Sequence, residues 1–147
     1  SEIRNKILKG DISTANIMLG YEYFIEGEVI KGDGIGKKLN FPTANIKVSF
    51  DDKILPNDGV YAGYAIVSGR DYIGMINIGI RPTVGGKERR VEMNLFNSDK
   101  KMYGEMMKIY FVKRIRDEKK FKNLDDLSHQ LKKDKLKTIK IINYEKI

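Results

Sequence analysis

The stretch from Gly32 to Asn45 carries the residue types best suited to chemistry. It reads Gly-Asp-Gly-Ile-Gly-Lys-Lys-Leu-Asn-Phe-Pro-Thr-Ala-Asn. Gly32, Gly34 and Gly36 alternate, and glycine lets a main chain approach a ligand closely. Exposed N–H groups beside a lysine, here Lys37, suit a polyphosphate. Pro42 fixes its own φ and pushes Phe41 toward an extended conformation. Thr43 and Asn45 lie two apart, so in an extended piece both side chains point to one face. A hydroxyl and an amide oxygen are hard neutral ligands of the kind Mg²⁺ takes when phosphates bring the negative charge. Taken alone, alternating glycines after a strand more often mark a flexible hairpin than a phosphate loop. The order Gly-Lys-Ser/Thr is absent and no helix pattern follows, so this is neither a Walker A loop nor a dinucleotide fingerprint.

These residues need a scaffold, and the chain supplies one made mainly of strands. Residues 1–20 read as a short helical segment, with Ile3, Ile7 and Leu8 at helical spacing, a break at Gly10-Asp11, and a second helix ending at Gly20. Tyr23 to Ile30 reads as a strand feeding the glycine stretch, and Ile46 to Phe50 continues extended after it. Val60 to Val67 is rich in β-formers. Ser68-Gly69-Arg70-Asp71 turns the chain, and Tyr72 to Ile78 returns. Residues 81–88 read as a polar flap. Arg90 to Asn97 alternates, with Val91, Met93 and Leu95 on one face and Glu92, Asn94 and Phe96 on the other. Met106 to Ile115 alternates again. Strands with turns between them and no intervening helix predict an antiparallel barrel or sandwich. A final helix is capped by Asn123 or Asp125, with Leu124, Leu127, Leu131 and Ile139 on or near one stripe. His129 falls on its polar side, as a surface residue.

Composition narrows the classes. The chain has 147 residues, 41% hydrophobic and 33% charged, the proportions of a single globular domain. No apolar run approaches the roughly 20 residues of a membrane helix. Residues 1–20 do not read as a signal peptide. There is no cysteine, hence no thiolate metal site. A cytoplasmic protein is expected. The formal charge of +8 comes from 28 Lys and Arg against 20 Asp and Glu. The lysines are spread out and thickest near the C-terminus, without a basic stripe interleaved with aromatics, so neither a nucleic-acid nor a membrane partner is expected.

The stretch Gly32–Asn45 resembles the signature of riboflavin kinases. Three further blocks match in order: Asn77-Ile-Gly-Ile-Arg-Pro-Thr83, Glu92-Met-Asn-Leu-Phe-Asn97 ending at Met102-Tyr103-Gly104, and Arg116-Asp-Glu-Lys-Lys-Phe121. The resemblance covers about residues 21–135. It implies a six-stranded antiparallel Greek-key β-barrel with a C-terminal helix. It also implies transfer of the γ-phosphoryl group of ATP to the 5′-hydroxyl of riboflavin, giving FMN and ADP with Mg²⁺. On this reading Gly32, Gly34, Gly36, Lys37, Thr43 and Asn45 bind ATP, and Thr43 and Asn45 hold the metal. Glu92 is the general base, although by its residues alone it reads as a cross-strand partner for Arg89 or Arg90. Arg116, Met102, Tyr103 and Phe121 line the flavin. Asn40, Asn94, Ser98 and Lys101 depart from the family pattern without removing a proposed catalytic group.

Ser1-Glu2-Ile3-Arg4 resembles the end of a nucleotidyltransferase motif. Residues 1–20 are therefore expected to be a linker left from an upstream FMN adenylyltransferase domain, with the kinase domain at 21–147. A non-catalytic flavin- or nucleotide-binding regulatory module is the alternative function. Against it stands the presence of Thr43, Asn45 and Glu92 together.

Overall fold

The computed structural model describes residues 1–32, 41–48, 54–96, 98 and 101–145, with side chains through Asn143. Gly34, Gly36, Lys37 and Asn40 lie outside the described residues.

Six strands close into one antiparallel barrel: β1 (Phe24–Ile30), β2 (Thr43–Val48), β3 (Gly59–Val67), β4 (Arg70–Thr83), β5 (Gly86–Leu95) and β6 (Met106–Arg116). Their order around the barrel is β1-β2-β5-β4-β3-β6. β3, β4 and β5 are consecutive, and β2 lies beside β5, which is the Greek-key arrangement. Closure pairs each of these described strands on both sides. The side-chain period of two sends one set inward, including Ile25, Val29, Ile46, Tyr61, Ile76, Ile78, Val91, Met93 and Ile109, all buried in one core cluster. Each such side chain contributes roughly 1.5–3 kcal/mol on leaving water.

The polar segment 81–88 is not a flap. β4 and β5 continue their ladder through Arg81↔Glu88 and Thr83↔Gly86, leaving a tight turn at Val84-Gly85. Gly86 takes φ 139°, which the tight turn back into β5 requires. The strand was hidden because its outer half is polar and exposed on both sides, so burial imposes no alternation there.

The N-terminal segment forms α1 (Glu2–Lys9) and α2 (Ile12–Leu19). Ser1 and Asp11 cap them, and Gly10 and Gly20 end them at left-handed φ of 81° and 82°. These helices do not hang off the barrel. Ile7, Ile12 and Ala15 belong to the barrel's own core cluster. Asn16 ties the segment down twice, its Nδ2 donating to Phe111 O at 2.9 Å and its Oδ1 accepting from Tyr23 N at 2.8 Å.

The C-terminal helix, α3 (Leu124–Glu145), starts at Asn123, whose Oδ1 accepts from Asp126 N at 2.9 Å. Its inward stripe matches the expected one only in part. Leu124 and Ile139 are exposed at 51% and 36%, while Asp134, Thr138 and Ile142 are buried. Leu131 packs on Phe41, Val60, Met75 and Phe96, and Ile142 packs on Ala62 and Val112. α3 thus covers the outer face of β3 and its neighbours, which is why β3 is buried on both faces. Polar residues sit in the stripe because Asp134 meets Arg116 from the end of β6. The contact is bidentate, with three N–O distances from 2.8 to 3.1 Å. Gln130 donates to the same carboxylate at 2.9 Å.

Breaking this pair from one side leaves a largely buried guanidinium, 17% exposed, without its counter-charge. Asp134→Ala is expected to destabilise the fold by about 3 kcal/mol. Urea denaturation measures it, and a loss below about 0.5 kcal/mol would class the pair with ordinary surface bridges.

Candidate active site

Among the described candidate residues, Thr43, Asn45, Glu92 and Arg116 lie on the outside of the barrel. Asn45 on β2 faces Glu92 on β5, and Glu92 faces Asn77 on β4. The row continues through Val60 on β3 to Arg116 on β6. One step along, Thr43 faces Asn94 and Asn94 faces Met75. The inward neighbours Ala44, Ile46, Val91 and Met93 all pack in or against the core. The intervening row Asn45–Glu92–Asn77 must therefore project outward.

Thr43 Oγ1 donates to Phe41 O at 3.0 Å. With its proton committed to the main chain, its lone pairs are left for an electropositive ligand. A Cβ built on Gly32 would collide with the Asn45 side-chain amide, so the missing side chain at Gly32 is what gives Asn45 its place. Among the described residues no group of three or more His, Cys, Asp or Glu could hold a metal. Thr43 and Asn45 form instead a hard, neutral oxygen pair, which fits Mg²⁺ carried in by nucleotide phosphates.

Glu92 is partnered by neither Arg89 nor Arg90. Arg89 pairs with Asp58 at 2.8 Å and Arg90 with Glu88 at 2.9 Å. Arg81 takes the place beside it, its Nε lying 3.4 Å from Glu92 Oε1. The same guanidinium donates through Nη1 to Glu118 Oε1 at 3.3 Å. Burial raises the Glu118 carboxyl above its ordinary 4.5; Arg81 and Arg116 act to lower it and Glu92 adds to the rise. Glu118 Oε2 and Asn77 Oδ1 are buried without a hydrogen-bond partner among the described residues. Arg81 and Glu118 each lie in a matched block, Asn77 to Thr83 and Arg116 to Phe121, but nothing in either block shows that the two residues pair. The signal was present only as two residues of the matched blocks.

The residues expected around a flavin divide. Arg116 and Phe121 are half-buried and adjacent, the guanidinium 5.8 Å from the ring centre. Tyr103 is exposed at 54%. Met102 is 3% exposed and packs inside with the core, so it offers no surface to a ligand here. A methionine and a tyrosine side by side in sequence point to opposite sides of the chain, which the matched block alone does not reveal.

The family model described as riboflavin kinase matches residues 19–142. The chain belongs to the riboflavin kinase family. Among curated relatives, the bifunctional riboflavin kinase/FMN adenylyltransferase of Bacillus subtilis is 43% identical over 143 residues, covering 95% of this chain and 45% of that protein. The protein of that name from Escherichia coli K12 is 33% identical over 135 residues, covering 91% and 42%. The chain thus spans less than half the length of these relatives. A crystal structure described as a macrolide-efflux protein from Streptococcus pneumoniae aligns with TM-score 0.87 and 36% identity, covering 93% of this chain and 45% of that one. Riboflavin kinase from Trypanosoma brucei aligns with TM-score 0.60 and 25% identity, covering 82% and 79%. The agreement extends to the closed six-stranded barrel. No described helix is long and apolar enough to cross a membrane.

The raised Glu118 carboxyl has a consequence for stability. An acid whose folded pKa lies above 4.5 contributes stability that is full below that pH and is lost as pH rises through the folded value. Glu118→Gln, which cannot ionise, is therefore expected to gain on the parent as pH rises from about 4.5 toward neutrality. Paired urea melts at several pH values read the difference, and a difference that shrinks with rising pH contradicts the burial of this group.

Proposed function

We propose that this chain transfers the γ-phosphoryl group of ATP to the 5′-hydroxyl of riboflavin, giving FMN and ADP in the presence of Mg²⁺. The observation that carries the reading is the outward row Asn45–Glu92–Asn77 with Thr43 beside it. That row sets a carboxylate next to a neutral oxygen pair, on a face roofed by apolar residues.

Glu92 accepts the proton of the ribityl hydroxyl as its oxygen bonds to the γ-phosphorus. The bond from that phosphorus to the β,γ-bridging oxygen breaks, and ADP leaves. A carboxylate is a weak base, but the alcohol proton becomes acidic only as the new bond forms, so placement matters more than strength. Thr43 and Asn45 would hold Mg²⁺, which on binding spreads the charge of the β- and γ-phosphates. Gly32 leaves room for Asn45, and Gly34, Gly36 and Lys37 complete the phosphate cradle. Arg116, Tyr103 and Phe121 take the flavin side, with Arg116 held by Asp134 and Phe121 lying against it. The names of the curated relatives support an adenylyltransferase domain joined to this one in the full protein, and a cytoplasmic location suits both. Nucleic acid and membrane have no part in the reaction.

The test is turnover with riboflavin, ATP and Mg²⁺, the flavins being separated by chromatography. FMN without FAD is expected. Glu92→Gln should still bind riboflavin and lose about 10²–10⁴-fold in kcat. Full turnover in that variant, with its fold intact, would remove Glu92 from the role of base. Gly32→Ala should raise the requirement for Mg-ATP about tenfold or more by displacing Asn45, with little change in melting temperature. An unchanged Mg-ATP requirement would separate Asn45 from the metal.

A further inference from the structure

We propose that Arg81 is a positioning residue of this site, aiming the Glu92 carboxylate by tying it to Glu118. The inference rests on the reading of Glu92 as the base. Three chain segments meet at the Arg81 guanidinium. Arg81 comes from β4, Glu92 from β5, and Glu118 from the connection between β6 and α3. Nε faces Glu92 at 3.4 Å and Nη1 faces Glu118 at 3.3 Å. Only a planar fork with several donors spans two carboxylates in this way. Nη1 also donates to Ile80 O at 3.2 Å, which fixes the fork against its own strand.

The ground under the bridge is made for it. A Cβ on Gly79 would lie 2.6 Å from Glu118 Oε2 and 2.7 Å from Arg81 Nη1. Gly79 has no positive φ, so its backbone does not demand glycine. Its bare α-carbon is what lets the guanidinium and the second carboxylate lie on β4. The side chains of Arg81, Glu92 and Glu118 are exposed by 26%, 21% and 29%, so the bridge stands at the rim of the site. Glu118 also sits two residues after Arg116, on the segment leading to Phe121. The bridge therefore joins the proton acceptor to the flavin side, and the segment that receives riboflavin also fixes the angle of the base.

The experiment is steady-state kinetics of Arg81→Ala, Glu118→Ala, their double variant, Arg81→Lys and Gly79→Ala, with Glu92→Gln as reference and a thermal melt on each. Arg81→Ala is expected to lower kcat about tenfold to hundredfold, the cost of a misaimed group, with both KM values within about threefold. Glu118→Ala should lower kcat in the same way, and the double variant should be no worse than Arg81→Ala, because both break one bridge. Arg81→Lys should recover only part of the loss, since an ammonium meets one carboxylate at a time. Gly79→Ala leaves every charge in place but crowds the bridge, and it should lower kcat without a lower melting temperature. The inference is overturned if Arg81→Ala stays within about twofold of the parent in kcat, if it raises a KM alone, or if the two single losses multiply. Full turnover in Glu92→Gln would instead overturn the assignment of the base, and this inference with it.

Discussion

The strand register at β5 is the constraint on which the site depends. Val91 and Met93 point into the core with no more than 1% exposure, and their outward neighbours are Glu92 and Asn94. A slip of one residue against β2 or β4 would exchange these sets. It would bring two large apolar side chains to the surface, at roughly 1.5–3 kcal/mol each, and drive a carboxylate into the barrel at several kcal/mol more. The same register that this cost enforces aligns Asn45, Glu92 and Asn77 in one row. Apolar burial on the opposite face of the strands is what sets these three side by side.

The outer face of a barrel is ordinarily left to water, and here part of it is covered. α3 lies over β3, and Phe41, Met75, Phe96 and Leu131 form a second apolar cluster outside the barrel wall. The polar row thus lies at the margin of a roofed surface. Its groups feel that position: Glu118 loses solvation and its carboxyl titrates higher, while Asn77 and Glu118 each keep a buried acceptor atom without a donor among the described residues. Unpaired acceptors are costly in a finished interior.

The parts of this arrangement that were legible in sequence are those governed by a local period. β1, β5 and β6 were visible because one face is buried and the residues alternate, β3 because it is rich in β-formers, and α1 and α2 because Gly10 and Gly20 stop them. The outer half of the β4–β5 hairpin was not, since neither of its faces is buried and Arg81 to Glu88 carry no alternation. The inner stripe of α3 was misread in part for a related reason. Hydrophobicity selected Leu131, which does pack inward, but also Leu124 and Ile139, which are exposed, and it missed the buried Asp134, Thr138 and Ile142. Asp134 can be buried only because Arg116, 18 positions away, meets it. No periodicity carries that information. Glu92 shows the same limit. Arg90 shares its strand face two residues away, yet Glu88 takes Arg90, and the charge beside Glu92 arrives from Arg81 on the neighbouring strand.

Two arginines near one site do different work, and their geometry says why. Arg116 grips Asp134 through short bidentate bonds, and the carboxylate is 2% exposed. Charge-assisted pairs of that kind are strong and directional, so this one fixes α3 against the end of β6. Arg81 stands 3.4 Å from Glu92 and 3.3 Å from Glu118, in partial contact with solvent. The contact with Glu92 is longer and single, and it supplies opposite charge without a bidentate grip. Sharing the guanidinium with Glu118 limits how tightly it can close on either acid. The guanidinium is thus divided between two carboxylates, where that of Arg116 is committed to one.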